Sequence, residues 1–539
     1  MSRVVVIGAG VAGLATAGLL ARDGHEVVVL EKSAQVGGRA GSIERDGFRF
    51  DTGPSWYLMP RVFDHFFAMM GTRTERELDM TMLDPGYRVF SEPSDDAASS
   101  GAVTIPRGAE AVSRLFEDME AGAGASLRSY LSSARHTSEM AEKHFLYNPF
   151  TRASSLATAE ILRAAPELAR LLLTRLDAWA ARRFSHPVLR QILGYPAVFL
   201  GTHPGQAPAM YHLMSALDLD DGVQYPQGGF WTVIQRLESL AIEAGATVRT
   251  QAEVQLIDTE PVGRHRRRHR ATGVHWQDAH GDEHVESADI VVSCADLHHT
   301  ETWLLSAPQR SYPERWWRRR TSGPGAVLVM LGVRGGLPQL PHHSLFFTRD
   351  WTANFDAIFG RSPHVPSPAS IYVCRPSATD ATVAPADHEN LFVLVPVPAD
   401  VSLGGGGADG AGDRAVEAIA DAAIDQVARW ADIPDLRERI VVRQTKGPAD
   451  FARDHHSWRG GMLGPAHTLR QSAMFRAQNA SKRVSGLFYA GATTAPGVGV
   501  PMCLISAELV LKRVRGDHSG GPLPEPVPVG ERSEAQPWA

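Results

Sequence analysis

Gly8, Gly10 and Gly13, spaced as G-x-G-x-x-G, are followed by Glu31 at the end of a second apolar run. Such a set can do one kind of chemistry: Gly8 makes a tight turn, Gly10 lets the backbone approach a pyrophosphate, and Gly13 lets a helix pack on the preceding strand. The diphosphate then sits at the helix N-terminus and an acid about 20 residues on holds a ribose, so the pattern reads as dinucleotide binding. It does not by itself separate NAD from FAD. Beyond Glu31, Gly37-Gly38-Arg39-Ala40-Gly41-Ser42 forms a second glycine turn. There Arg39 would be a charge-assisted donor to phosphate, an extension that favours FAD. Near the other end of the chain, Gly491 closes a strand and Gly497-Val498-Gly499-Val500-Pro501 opens a helix. That helix N-terminus would present its dipole and free amides to the electron-rich end of a reduced flavin. With Val254, the expected cofactor set is Gly8, Gly10, Gly13, Glu31, Gly38, Arg39, Val254, Gly491, Val500 and Pro501.

The elements needed to position these residues are legible around them. Residues 4–7 are a β-branched run, residues 27–30 read as a second strand, and residues 14–20 between them carry a helical pattern. Phe48-Arg49-Phe50-Asp51-Thr52-Gly53-Pro54-Ser55 alternates like a strand ending in a turn. Tyr225-Pro226-Gln227-Gly228-Gly229-Phe230 leads into a helix over 231–244, stopped by Gly245 before a strand over 247–250. Residues 288–296 form another buried-strand pattern that returns the chain to the parallel sheet.

Composition bounds the rest. With 539 residues, the chain should build more than one core. Its 43% hydrophobic and 21% charged residues exclude a disordered protein. A net charge of −6 provides no general field for nucleic acid. Cys294, Cys374 and Cys503 are isolated and lack metal-type Cys/His spacing, so neither a disulfide framework nor a metal site is expected, and a reducing cytosol fits. No run approaches a membrane span, and neither a spanning helix nor a signal peptide is expected. The basic run over 264–270 reads as a solvated hairpin tip rather than a binding patch, the glycine run over 403–410 as a flexible loop, and residues 515–539 as a disordered tail.

Taken as an ordered set, these motifs resemble the phytoene desaturase family of FAD-dependent oxidoreductases. The resemblance runs from about residue 4 to 514. Further pieces that carry it are Asp51-Thr52-Gly53-Pro54, Tyr225-Pro226-Gln227-Gly228-Gly229, Ser293-Cys294-Ala295-Asp296 and Gln471-Ser472-Ala473-Met474-Phe475-Arg476. Two departures stand out: Cys294 replaces the family's usual Asn, and Thr493-Thr494-Ala495 replaces Gly-Thr-His or a close variant.

The resemblance implies an α/β fold with a Rossmann-type FAD-binding domain, glutathione-reductase-like, interleaved with an α+β substrate domain and a helical membrane-facing region. The expected FAD-binding parts are 1–75, 221–300 and 481–514, and the substrate-domain parts are 76–220 and 301–480. It also implies FAD as the redox cofactor and a long linear isoprenoid polyene as substrate. Oxygen or a quinone would be the acceptor, and the protein would be cytoplasmic with peripheral attachment to a membrane surface. Removing hydrogen from an unactivated hydrocarbon takes a hydride from one carbon and a proton from its neighbour, and a flavin must accept the hydride because no side chain can.

The alanine- and leucine-rich stretch over 156–199 is where a membrane-facing entrance is expected, with a plain helical cap as the alternative. Within it, Glu160 and Arg163 are spaced i,i+3 and resemble the family segment proposed for acid/base work, which makes them the catalytic candidates. A solvated surface ion pair is the simpler reading of the same spacing. His298, His299, His455 and His456 are of the residue type that can titrate near neutral pH, but nothing in the sequence puts them at a flavin. The leading expectation is desaturation of phytoene toward lycopene. The alternatives are ketolation, saturation or isomerisation of a carotene-like chain, amine or porphyrinogen oxidation, or a non-redox binding protein on this fold.

Overall fold

The computed structural model describes residues 1–94, 101–262 and 268–527. The first elements are β1 (Arg3–Ile7), α1 (Val11–Arg22) and β2 (Glu26–Leu30). The two strands are built largely of valine, whose branched side chain favours extended backbone. Helix α1 is apolar on every side, and eleven of its twelve residues are buried. It is enclosed by α2 (Phe230–Glu243) and α3 (Val500–Arg515). Strands β3 (Thr247–Arg249), β4 (Ile290–Ser293) and β5 (Leu487–Tyr489) complete an all-parallel sheet of order β5-β4-β1-β2-β3. Three separated parts of the chain therefore meet in one sheet. Gly8, Glu31, Cys294 and Ala490 follow directly on the carboxyl ends of β1, β2, β4 and β5, where open parallel sheets bind ligands.

A second sheet has seven strands in the order Ile440–Lys446, Gly325–Arg334, His388–Val397, Ile371–Cys374, His343–Phe347, Tyr87–Ser91 and Ala102–Ile105. All its pairs are antiparallel except His343–Phe347 with Tyr87–Ser91. Successive residues face opposite ways. Phe346 joins the core under the helix Arg414–Trp430, while Leu345 and Phe347 join the core against a layer of helices that includes Pro187–Gly194.

Two expectations are corrected. The tail does not become disordered at 515. Gly516 ends α3 in a left-handed turn, and 517–527 run back over the molecule with Leu523 and Val527 buried. Val527 N donates to Met69 O at 3.0 Å, and Leu523 N donates to Glu508 Oε1 at 2.6 Å. A few apolar anchors hold a segment whose overall composition is that of a coil.

The glycine run is likewise held. Gly405, Gly406 and Gly407 donate their amides to Asp413, Asp450 and Thr445, and a side chain on Gly406 would stand 2.2 Å from the Thr445 carbonyl. Glycine serves close approach there rather than freedom. Of the basic run, 264–267 lie outside the described residues, while Arg268 to Arg270 begin the strand Arg268–Gln277. Among the described residues no helix is long and apolar enough to cross a membrane.

Candidate active site

The structure brings Gly8, Gly10, Glu31, Gly38, Arg39, Val254, Gly491, Val500 and Pro501 to one cavity of about 620 Å³, within the range of roughly 300–1,000 Å³ usual for ligand pockets. Gly13 lies in α1, beneath the turn made by Gly8. A side chain on Gly13 would meet Gly8 O at 1.9 Å, whereas one on Gly10 would meet nothing nearer than Gly37 O at 3.8 Å. Gly13 is glycine because the protein packs on it, and the space above Gly10 is left for a ligand.

At one end of the cavity the Glu31 carboxylate is held by two backbone amides, Ala9 N on Oε2 and Ser33 N on Oε1, each at 2.8 Å. Each oxygen keeps a second lone pair, as two ribose hydroxyls require. Beside it, His299 and His456 stack with ring centres 3.8 Å apart and planes within 4°. Burial, aided by the neighbouring His456 and Lys32, pushes His299 down to about 3, so the stacked pair offers an uncharged flat face. His299, His455 and His456 all line the cavity. Their place comes from the packing of α-helical turns some 155 residues apart in sequence; no local signal could have revealed it.

Further in, Gly38 packs on Gly10, and Arg39 Nη2 donates to Ser457 Oγ at 2.6 Å and stands 3.5 Å from Asp296 Oδ2. Arg39 Nε is buried without a partner. An orphaned guanidinium donor next to two glycines fits a pyrophosphate. At the far side, α3 begins after Gly499 with no side-chain cap, so first-turn amides remain open toward the cavity. The two departures from the family pattern are absorbed locally. Burial pushes the Cys294 thiol up to about 12 and keeps it neutral. Thr493 Oγ1 accepts from Leu297 N at 3.2 Å, while Thr494 Oγ1 donates to Gly491 O at 3.0 Å. The donor set, the open glycines and the uncapped helix together fit FAD.

Beyond that end the cavity continues between aromatic walls, including Trp56, Tyr195, Phe199 and Tyr372, and reaches Leu168, Leu172, Met474 and Phe475. Tyr195 OH donates to Asp218 Oδ2 at 2.5 Å, and burial raises the Asp218 carboxyl to about 7. His467 also lines the cavity; its Nδ1 pairs with Leu200 O at 2.9 Å, which leaves the lone pair on Nε2. Burial, with Arg476 nearby, pushes His467 down to about 3 and keeps the ring neutral.

Glu160 and Arg163 are not brought to this cavity. They lie on the helix Ala159–Leu173, which turns Leu168 and Leu172 inward instead. Glu160 is bound by Lys143 Nζ at 2.5 Å and His144 Nε2 at 3.0 Å, and Arg163 is exposed. The surface ion-pair reading describes Glu160, with Lys143 rather than Arg163 as its partner.

Comparison with known proteins agrees with this geometry. A family model described as flavin containing amine oxidoreductase matches residues 11–514. The chain is 39% identical over 505 residues to a carotenoid 3,4-desaturase of Haloarcula japonica, covering 94% of this chain and 96% of that one. It is 35% identical over 520 residues to a zeta-carotene-forming phytoene desaturase of Myxococcus xanthus, covering 95% and 93% respectively. Among solved structures, an oxidoreductase from Methanosarcina mazei superposes with a TM-score of 0.58 at 15% identity, covering 95% of this chain and all of that one.

Proposed function

The chain belongs to the flavin-containing amine oxidoreductase family, in its carotenoid desaturase branch, and we propose that it desaturates a long linear carotenoid, with phytoene carried toward lycopene as the leading reaction. The observation that carries this reading is the continuity of one cavity from the dinucleotide cradle at Gly10 and Arg39 to apolar aromatic walls and an apolar mouth. FAD supplies the hydride acceptor when bound. The chain's own residues do the rest: Glu31 would hold a ribose and Arg39 the pyrophosphate, and the uncapped amides of α3 favour negative charge at the reacting end. Trp56, Tyr195, Phe199 and Tyr372 exclude water and align a polyene by contact alone.

The substrate reaches the cavity from a membrane surface, with oxygen or a quinone as the final acceptor. Exposed apolar side chains support this reading: Leu162 and Leu173 lie on the helix whose Leu168 and Leu172 line the cavity, and the Met474-Phe475 turn of the lining is exposed as well. A second reading is favoured by the 39% relative, a carotenoid 3,4-desaturase: introduction of a 3,4 double bond into a carotenoid that is already extensively conjugated. Incubating the FAD-loaded protein in parallel with phytoene and with lycopene in liposomes, then separating the pigments, tests both. New conjugated products from phytoene support the leading reading, and products from lycopene alone support the second. Products from neither refute desaturation.

A further inference from the structure

Three donor side chains not used by the reading above meet behind the aromatic wall. His343 pairs directly across from Cys374 in adjacent antiparallel strands, so both side chains project from one face of the sheet. His342 precedes that strand, and its ring lies 4.5 Å from that of His343. One ring nitrogen of each histidine and Cys374 Sγ lie within 4.8 Å of one another, with all three residues buried.

The hydrogen bonds around them select the free atoms. His342 Nδ1 pairs with Thr379 Oγ1 at 2.8 Å, and His343 Nδ1 pairs with Tyr372 OH at 2.8 Å. Both Nε2 atoms are buried with no hydrogen-bond partner. Where Nδ1 donates to the hydroxyl, the lone pair lies on Nε2, the arrangement by which a second shell prepares histidine for a metal. Two buried Nε2 atoms without partners, on histidines clustered with a thiol, make a candidate donor set.

We propose that His342, His343 and Cys374 form a buried site for a borderline-soft divalent cation of the Zn²⁺ class, bound by two imidazole nitrogens and one thiolate. Nitrogen and sulfur donors select this class over Mg²⁺ or Ca²⁺, which need oxygen ligands. Binding displaces the thiol proton of Cys374 to solvent. A dication and one thiolate leave a net positive charge, and the carboxylates of Asp51 and Asp380 lie close enough to act on Cys374 and His342. The ion would brace the cavity wall. Tyr372 OH also contacts Ser55 Oγ at 2.6 Å, and Trp56 stacks on His343 with ring centres 4.6 Å apart.

The test uses the full-length FAD-loaded protein with any affinity tag removed, stripped by chelator and titrated with Zn²⁺, and in parallel with Co²⁺. Elemental analysis after gel filtration should give one ion per chain. Co²⁺ should give ligand-field bands at wavelengths beyond the flavin spectrum. C374S and H343Q should each abolish stoichiometric binding, with retained FAD as the measure that they fold. Y372F, which removes only the hydroxyl behind His343, should weaken Zn²⁺ by roughly 10–100-fold. A wild-type protein that retains FAD but holds no stoichiometric metal overturns the proposal, whatever the variants do. Metal content unchanged in a folded C374S overturns it as well.

Discussion

A side chain on Gly13 would place its first carbon 1.9 Å from the carbonyl oxygen of Gly8, closer than any atom can come. Gly10, three residues earlier, meets no such obstacle within the protein. The two glycines thus serve different masters, and their alanine variants should fail differently. Gly13→Ala should lower stability by about 3 kcal/mol or more, because strand and helix must separate. Gly10→Ala should fold normally yet weaken FAD by roughly 10–100-fold, a loss of about 1.4–2.7 kcal/mol. Thermal melts of the apoprotein and flavin titration separate the two effects.

Arg476 is buried among backbone carbonyls: Nη2 donates to Ala492 O at 2.6 Å, Nε to Thr494 O at 2.9 Å, and Nη1 to Pro465 O and Gln471 O at 3.2 and 3.3 Å. Burial lowers its pKa to about 10, so it stays charged at neutral pH. A lysine has neither the reach nor the planar fork to replace it. Arg476→Lys should cost about 2 kcal/mol or more from unpaired carbonyls, and it should loosen the loop carrying Gly491. Denaturant midpoints and FAD dissociation rates would both move.

His65 joins the C-terminal segment to the body, with Nε2 on Glu508 at 2.9 Å and Nδ1 on Glu525. Burial opposes its charging, but hydrogen bonds to these two carboxylates outweigh burial and hold its pKa above the ordinary value. A raised folded pKa stabilises fully below the unfolded value of about 6.5, and the contribution fades as pH rises through the folded value. Hydrogen exchange over 517–527 should therefore speed up as pH climbs above neutrality, beyond its intrinsic pH dependence. His65→Gln should remove that excess.

Leu162 and Leu173, on the helix whose Leu168 and Leu172 line the cavity, and Phe475 of the cavity lining are exposed by 63%, 79% and 58%. On the proposed membrane-surface entry, replacing all three with serine should weaken liposome binding by roughly 100-fold or more, from the apolar area that would no longer be buried in lipid. FAD content should not change. Flotation on vesicles with and without phytoene reads the effect directly.

The parts of this site built locally were legible in the sequence. Gly8 to Gly13 and Glu31 are each fixed by the strand or helix they adjoin, so spacing alone conveys their roles. Glu160 was not, because its i,i+3 relation to Arg163 says nothing about which helix face the cavity takes, and that face carries Leu168 and Leu172. His299 with His456, and His343 with Cys374, become neighbours only through packing and sheet register. The segment ending at Val527 looks like a coil in composition, yet two apolar side chains suffice to anchor it.

The central claim is that the cavity joins a bound flavin to a carotenoid, and one anaerobic experiment tests it most directly. The FAD-loaded protein is mixed with phytoene in liposomes without any external acceptor, and the flavin spectrum is followed while pigments are extracted. The account predicts bleaching of the oxidised flavin with one new double bond formed per flavin reduced. A flavin that stays oxidised with phytoene and with lycopene alike, in a protein that binds both, would contradict it.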